Sequence, residues 1–334
     1  MCPHLGQYFS RRSGSGKKYT TRVADSSSDF PYLSQRDNWI AVRYNLAMDQ
    51  AALEKLLAGL PLGGVRYFNA VGSTNDLAAR WAAAGAPDLS LVVADEQTAG
   101  RGRIQRRWFT PPGAALAFSL VLSPSSLVLS SPSLVLHQPE VGFAAQLPRL
   151  TVLSALAVCD TLNAALPPML PAQIKWPNDV LATRRKLAGV LAEAHWHGEQ
   201  LAAVILGIGI NVAPDSVPPS DLLDFPATCL EAVLEKPVDR WELLRAVLLK
   251  LIEWRQRLDE ADLVQAWERR LAFRGEWVRL LQESATPLEG QVLGLNPDGA
   301  LRLRLRSGEV AAFIAGEIRL RPTNQGEDPP AQGI

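Results

Sequence analysis

Apolar residues recur along this chain with three different periods, and the periods mark its elements. Leu53, Leu56, Leu57 and Leu60 fall at three- and four-residue steps, which predicts a short amphipathic helix. Residues 65–70 read as a strand. Ser73-Thr74-Asn75-Asp76 then opens an alanine-rich helix to about Ala84, and its Ser-x-x-Asp spacing resembles a capping box with Asp in place of Glu. Gly85 ends that helix. Apolar runs at 89–94 and 114–122 predict two more strands, and 151–166 a helix in which small and large apolar residues alternate. Strands are expected at 173–176, 179–182, 187–195 and 201–212, then helices at 240–258 and 262–271. From Glu276 the period falls to two, over 277–281, 289–295 and 301–305, with the turn signal Asn296-Pro297-Asp298-Gly299 between the last two.

The predicted architecture is therefore α+β: a mixed sheet with helices over residues 48–272, followed by a small β-barrel over 273–321. Residues 1–47 are rich in Ser, Arg and Lys in their first part and show no sustained period. They are expected to be a disordered extension, or a segment upstream of a true start at Met48, with a transit peptide as a third alternative. Residues 322–334 read as a frayed tail. Within 123–148, Ser125-Ser126-Leu127-Val128-Leu129-Ser130 is nearly repeated by Pro132-Ser133-Leu134-Val135-Leu136-His137, which suggests a duplicated surface insertion rather than a repeat fold.

The charge balance limits the function. Lys and Arg number 34 and Asp and Glu 34, so the chain lacks the basic excess of a general nucleic-acid binder. Cys2, Cys159 and Cys229 form no C-x-x-C pair, so neither a metal site nor a disulfide framework is indicated. No apolar run is long enough to span a membrane, and no signal-peptide core is visible. A cytoplasmic protein is expected.

Against this neutral background, positive charge gathers in one place. Residues 100–107 hold four arginines and two glycines, and Trp108 closes the run. Glycines let backbone N–H groups approach a ligand, and arginine offers a planar fork of donors to phosphate or carboxylate. Taken alone, such a loop is an anion site, a solvated basic loop or a nucleic-acid patch.

Three further segments decide between these. They are Ser73-Thr74-Asn75; Lys175-Trp176-Pro177-Asn178-Asp179 followed by Arg185-Lys186-Leu187-Ala188-Gly189; and Gly207-Ile208-Gly209-Ile210-Asn211. With the loop from Gln97 to Trp108, in this order and spacing, the chain from about 48 to 321 resembles the biotin protein ligases. The resemblance implies a biotin–lipoate ligase-like, class II synthetase-like catalytic domain followed by an SH3-like β-barrel. It implies ATP and biotin as substrates, Mg²⁺, and formation of biotinyl-5′-AMP. It further implies transfer of biotin to a lysine of a biotin carboxyl carrier protein, a subunit of acetyl-CoA carboxylase or a related carboxylase.

The resemblance also assigns residues. Ser73, Thr74, Asn75 and Gln97 match positions around the biotin ring. Gly100, Arg101, Gly102 and Arg103 match the loop that closes over it, Arg103 also helping to retain the adenylate. Gly189, Gly207 and Gly209 match close approach of strands to biotin. Lys186 matches the lysine at the biotin carboxylate. Arg106, Trp108, Asn178 and Asn211 match positions near the nucleotide, Trp108 being expected over the adenine. Asp179 is expected to orient or deprotonate the incoming lysine. No metal ligand is assigned.

The departures are specific. Ile104-Gln105 stands where many members have Arg-Gly, which removes one charge and one flexible residue from the loop. Residues 1–47 show no helix-turn-helix pattern, so DNA binding of the kind some members show is not expected. A homodimer is left open. The rival of the same fold is a lipoate or octanoate ligase or transferase, which lacks the Gly-Arg-Gly-Arg loop. An RNA-binding protein and a catalytically dead scaffold are the rivals from other classes.

Overall fold

The computed structural model describes residues 48–104, 106–124, 147–257, 262–282, 285–314 and 319–322. The extension at 1–47, most of the 123–148 insertion and the tail beyond 322 lie outside them.

Seven strands form one mixed sheet: β1 (Gly64–Val71), β2 (Ser90–Gln97), β3 (Ala115–Leu122), β4 (Gln173–Lys175), β5 (Asp179–Ala182), β6 (Arg185–His197) and β7 (Gln200–Asn211). Their order is β1-β2-β3-β7-β6-β5-β4. Only β1 and β2 run parallel, and every other neighbour is antiparallel.

The sheet is covered on both faces, which explains why β3 is apolar at nearly every position rather than at alternate ones. On one face Val92, Val121, Ala203 and Ile205 pack with Ala78 beneath α2 (Thr74–Ala83). On the other, Leu91, Val93, Leu120, Leu122, Val204 and Leu206 join the main core. That core is closed by α3 (Leu147–Asn163), which packs on β6 and against α5 (Arg240–Arg255). Eleven of the seventeen α3 residues are buried, so it is an interior helix rather than a surface one.

Caps fix the helix ends. Asp49 accepts from the Ala52 N–H at the start of α1 (Gln50–Leu56), and Asp239 accepts from Trp241 and Glu242 at the start of α5. The short α4 (Leu230–Leu234) and two 3₁₀ turns, Pro214–Ser216 and Ser220–Leu222, were not legible in the pattern.

α6 (Asp262–Arg269) leads into five antiparallel strands: β8 (Trp277–Gln282), β9 (Ala285–Leu295), β10 (Leu301–Leu305), β11 (Val310–Phe313) and β12 (Arg319–Pro322), in the order β11-β10-β9-β8-β12. This is an antiparallel sheet and not a closed barrel among the described residues. Gly316-Glu317-Ile318, which the family resemblance matches to a closing strand, lies outside them. Val278, Leu280, Val292, Leu301 and Leu303 belong to the same core as the larger sheet. Trp176 is fully buried and donates its indole N–H to the Gly299 carbonyl of the second sheet at 3.2 Å. No described helix is long and apolar enough to cross a membrane.

Candidate active site

The site begins where the side chains of β7 stop. Along the α2-facing side of that strand the sequence runs Ala203, Ile205, Gly207, Gly209. The first two fill the space under α2, and the glycines leave a floor. Above it opens a cavity of about 910 Å³. Every candidate site residue named above lines it except Gly100. Gly100 instead closes the base of the arginine loop, its carbonyl accepting from Trp108 N at 2.8 Å, and a Cβ there would meet the Trp108 backbone.

One end of the cavity is a chain of neutral polar groups. Gln97 Oε1, at the end of β2, accepts from the Thr74 N–H at 2.8 Å and from the Thr74 hydroxyl at 3.1 Å, while its amide donates to Thr110. Ser119 donates within 2.6 Å of Asn75 Oδ1 and lies 2.7 Å from the Thr74 hydroxyl. Gln97 thus satisfies the first N–H of α2, at Thr74. Ser73 occupies the N-cap position but makes no side-chain cap bond, and Asp76 pairs with Arg101 rather than completing a capping box. Gly207 is required by Asn75, because a methyl group on Gly207 would overlap the Asn75 amide.

The arginine loop folds as a tight hairpin, with Arg101 bridged to Arg107 and Gly102 N donating to the Arg106 carbonyl at 2.7 Å. Ile104 holds φ 55°, a left-handed conformation that glycine tolerates and a β-branched residue does not favour. The hairpin spreads its arginines. Arg101 reaches Asp76 and Glu193, both at 2.9 Å. Arg103 donates to Asn178 Oδ1 at 3.3 Å, and Arg106 lies 2.6 Å from Asp224. Burial lowers the Arg103 pKa from its ordinary value while Asp179 pulls it up.

At the other end three charges share one point. Asp179 binds Lys175 through Oδ2 at 2.8 Å and Lys186 through Oδ1 at 2.7 Å. Burial alone would raise the Asp179 pKa, but the two ammonium groups outweigh it and hold the carboxyl well below the usual range. Lys175 moves the other way. Burial pushes its pKa down to about 8, against the pull of Asp179 and with help from Lys186 and Arg321. Two amides brace this end, Asn178 Nδ2 donating to the Val190 carbonyl and Asn211 Nδ2 to the Thr228 carbonyl. The indole of Trp108 rests against Gly189 and Gly209, with Lys186 Nζ 5.3 Å from its ring centroid.

Several lining or supporting residues were missed by the sequence. Ser119 is the lone polar side chain in an apolar strand, which is the one signal that points to it. Glu193, which accepts from Asn75 at 2.5 Å as well as from Arg101, interrupts an apolar strand in the same way. Lys175 stands inside a recognised motif. Phe225 and Arg321 come from distant segments, Phe225 lying 4.4 Å from Lys175 Nζ and 5.4 Å from the Arg321 guanidinium.

The arrangement is a neutral polar pocket joined to a cationic one, suited to a molecule with a polar uncharged ring at one end and phosphate at the other. The chain is similar in sequence and fold to known proteins. Residues 67–211 match the model of the biotin/lipoate A/B protein ligase family. A biotin--[acetyl-CoA-carboxylase] ligase of Paracoccus denitrificans is 34% identical over 233 residues, covering 67% of this chain and 88% of that protein. The bifunctional ligase/repressor BirA of Bacillus spizizenii is 31% identical over 257 residues, covering 76% of this chain and 73% of that one. Among solved structures, a biotin protein ligase from Aquifex aeolicus in complex with biotin and ATP superposes with a TM-score of 0.63 at 28% identity, covering 78% of this chain and 99% of that one.

Proposed function

We infer the activity from one premise, that this chain belongs to the biotin protein ligase family. It is an ATP-dependent biotin–carrier-protein ligase. It joins biotin to the α-phosphate of ATP, releases pyrophosphate, and passes the biotinyl group to a lysine of a biotin carboxyl carrier protein. The observation that carries this reading is the single cavity with a neutral polar end and a cationic end.

Thr74, Asn75, Gln97 and Ser119 supply both donors and acceptors, which matches a cyclic urea. A lipoyl or octanoyl chain offers that end of the cavity no matching donors or acceptors, so these polar groups gain nothing from it. Attack of the biotin carboxylate on the α-phosphate brings two anions together. Lys186 and Arg103 neutralise them, and fixed charge of this kind acts without reorganising during the step. Mg²⁺ enters as the counter-ion of the triphosphate. No described group of three or more acidic, His or Cys side chains is placed to hold a metal, and of the cavity carboxylates Glu96, Asp179 and Asp224 the last two are already paired with cations. Asp179 orients the lysines around it, and Trp108 lies beside the nucleotide.

Residues 48–272 act as the catalytic domain. The sheet over 273–321 is read as an SH3-like barrel that contributes Arg321 to the nucleotide end of the cavity. The protein is placed in the cytoplasm. The repressor half of the bifunctional relatives' names is not carried over, and homodimer formation is open to sedimentation analysis of the purified chain.

The test is Mg²⁺-dependent ATP–pyrophosphate exchange with biotin, lipoate and octanoate in parallel. Exchange with biotin alone is expected. Exchange with lipoate alone would keep the fold and move the substrate. No exchange with any of the acids would remove the activity.

A further inference from the structure

We propose that Lys175 is the proton acceptor of the transfer step. This rests on the ligase reading above. In that step the free amine of the acceptor lysine attacks the acyl carbon of biotinyl-AMP. A C–N bond forms, the bond from the acyl carbon to the phosphate oxygen breaks, and AMP leaves with the electron pair. The nitrogen then carries one proton too many for an amide. That proton goes to the neutral amine of Lys175, which later returns it to water.

Geometry rules out the obvious alternative. Asp179 is the carboxylate nearest this chemistry, but both of its oxygens are bound by ammonium groups, Oδ2 by Lys175 and Oδ1 by Lys186. Those groups hold its pKa well below the usual carboxylate range, which makes it a poor base at neutral pH. Asp179 is left with the orienting half of the role expected of it.

The same geometry singles out Lys175. Two ammonium groups sharing one carboxylate leave an excess positive charge in a buried place, and such a site sheds a proton readily. The groups facing Lys175 are Asp179 from β5, Lys186 from β6 and Arg321 from β12, with the Phe225 ring 4.4 Å away. Asp179 and the face of the Phe225 ring favour the charged form, while burial, Lys186 and Arg321 oppose it. Lys175 is also the more deeply buried of the two lysines, its side chain 5% exposed against 26% for Lys186. It nevertheless forms part of the cavity wall. Its pKa of about 8 lies where a general base works best. A neutral amine can still donate one N–H to Asp179 and keep its lone pair for the incoming proton.

The test is single-turnover transfer from synthetic biotinyl-AMP to a biotin carboxyl carrier domain across pH 6–9.5. With the acceptor amine titrating near 10.4, log rate should rise with a slope of about two below pH 8 and about one above it, because two amines must be neutral. Lys175→Arg keeps a cation beside Asp179 but never deprotonates, so its slope should be about one throughout. A break near pH 8 that survives in Lys175→Arg would overturn the proposal. Should that variant not fold, the Lys175 ammonium can be titrated in the unaltered protein by lysine-selective ¹⁵N NMR. A midpoint near 8 supports the proposal, and one above 10 sinks it. Absence of any transfer by the unaltered protein would fail the ligase reading itself, which the NMR titration does not depend on.

Discussion

The indole of Trp108 takes the space that a side chain at position 209 would need. A methyl group on Gly209 would stand 2.7 Å from Trp108 Cζ2, and one on Gly189 3.2 Å from Cζ3. Both strands of the floor are therefore bare where the loop tryptophan settles on them. Gly209→Ala should lift the ring from the floor. Since displacement of about 1 Å in a binding site can cost up to about a hundredfold, we expect the biotin KM to rise at least tenfold with little change in thermal stability. An unchanged KM in pyrophosphate exchange would mean that the contact has no part in binding.

Lys186 and Arg103 both line the cavity, one from β6 and one from the arginine loop. Lys186→Ala should lower the rate of biotinyl-AMP formation by about a thousandfold, the scale for loss of a fixed charge at a developing anion. Circular dichroism should show the fold intact, because Lys175 still satisfies Asp179. Arg103→Gly should act differently, letting biotinyl-AMP escape to solvent. Gel filtration of the enzyme after one turnover distinguishes the two. Retained adenylate in Arg103→Gly would remove that assignment.

The strands and the principal helices were legible because their periods are strong, and β3 and β7 announced burial on both faces by being apolar throughout. What failed was local chemistry that tertiary contacts override. Ser73-x-x-Asp76 has the form of a capping box, yet Ser73 makes no side-chain cap bond and Arg101 draws Asp76 away. The four site segments were legible because each is contiguous. Glu193, Asp224, Phe225 and Arg321 were not, because only the pairing of distant strands and the course of the 214–228 segment bring Glu193 against Asn75 and Arg101 and the other three to the cavity. β11 and β12 were not read as strands either.

Asp179 and Lys175 make stability depend on pH in two windows of the same sign. Its own pKa is depressed in the folded chain, so its contribution is present above the unfolded value of about 3.9 and is lost as pH falls through the folded one. Lys175 is depressed from an ordinary value near 10.4 to about 8, so the unfolded chain binds more protons between these values and stability rises with pH across that window. Asp179→Asn removes the only carboxylate both lysines share and should cost about 3 kcal/mol at pH 7. Lys175 would then fold only as the neutral amine, so the deficit relative to the unaltered protein should widen by up to about 1.4 kcal/mol per pH unit from 8 down to 6. Urea unfolding at pH 6, 7, 8 and 9 measures it, and a deficit independent of pH would show that Lys175 escapes to solvent instead.

Arg106 and Asp224 lie 2.6 Å apart and join the arginine loop to the segment after β7. Their side chains are 33% and 59% exposed, so water screens the pair and its share of stability is at most about 1 kcal/mol. Its effect on ligand binding is larger in principle, because a triphosphate arriving at Arg106 must displace the Asp224 carboxylate. Asp224→Ala should therefore leave the unfolding midpoint nearly unchanged and lower the ATP KM by about threefold at low salt, the gain shrinking as added salt screens the pair. Asp224→Asn, which keeps the shape and removes the charge, should behave the same way. If either variant raised the ATP KM instead, Asp224 would be holding Arg106 in place for the nucleotide rather than competing with it. The sign of the change thus decides whether the contact opposes closure over ATP or prepares it.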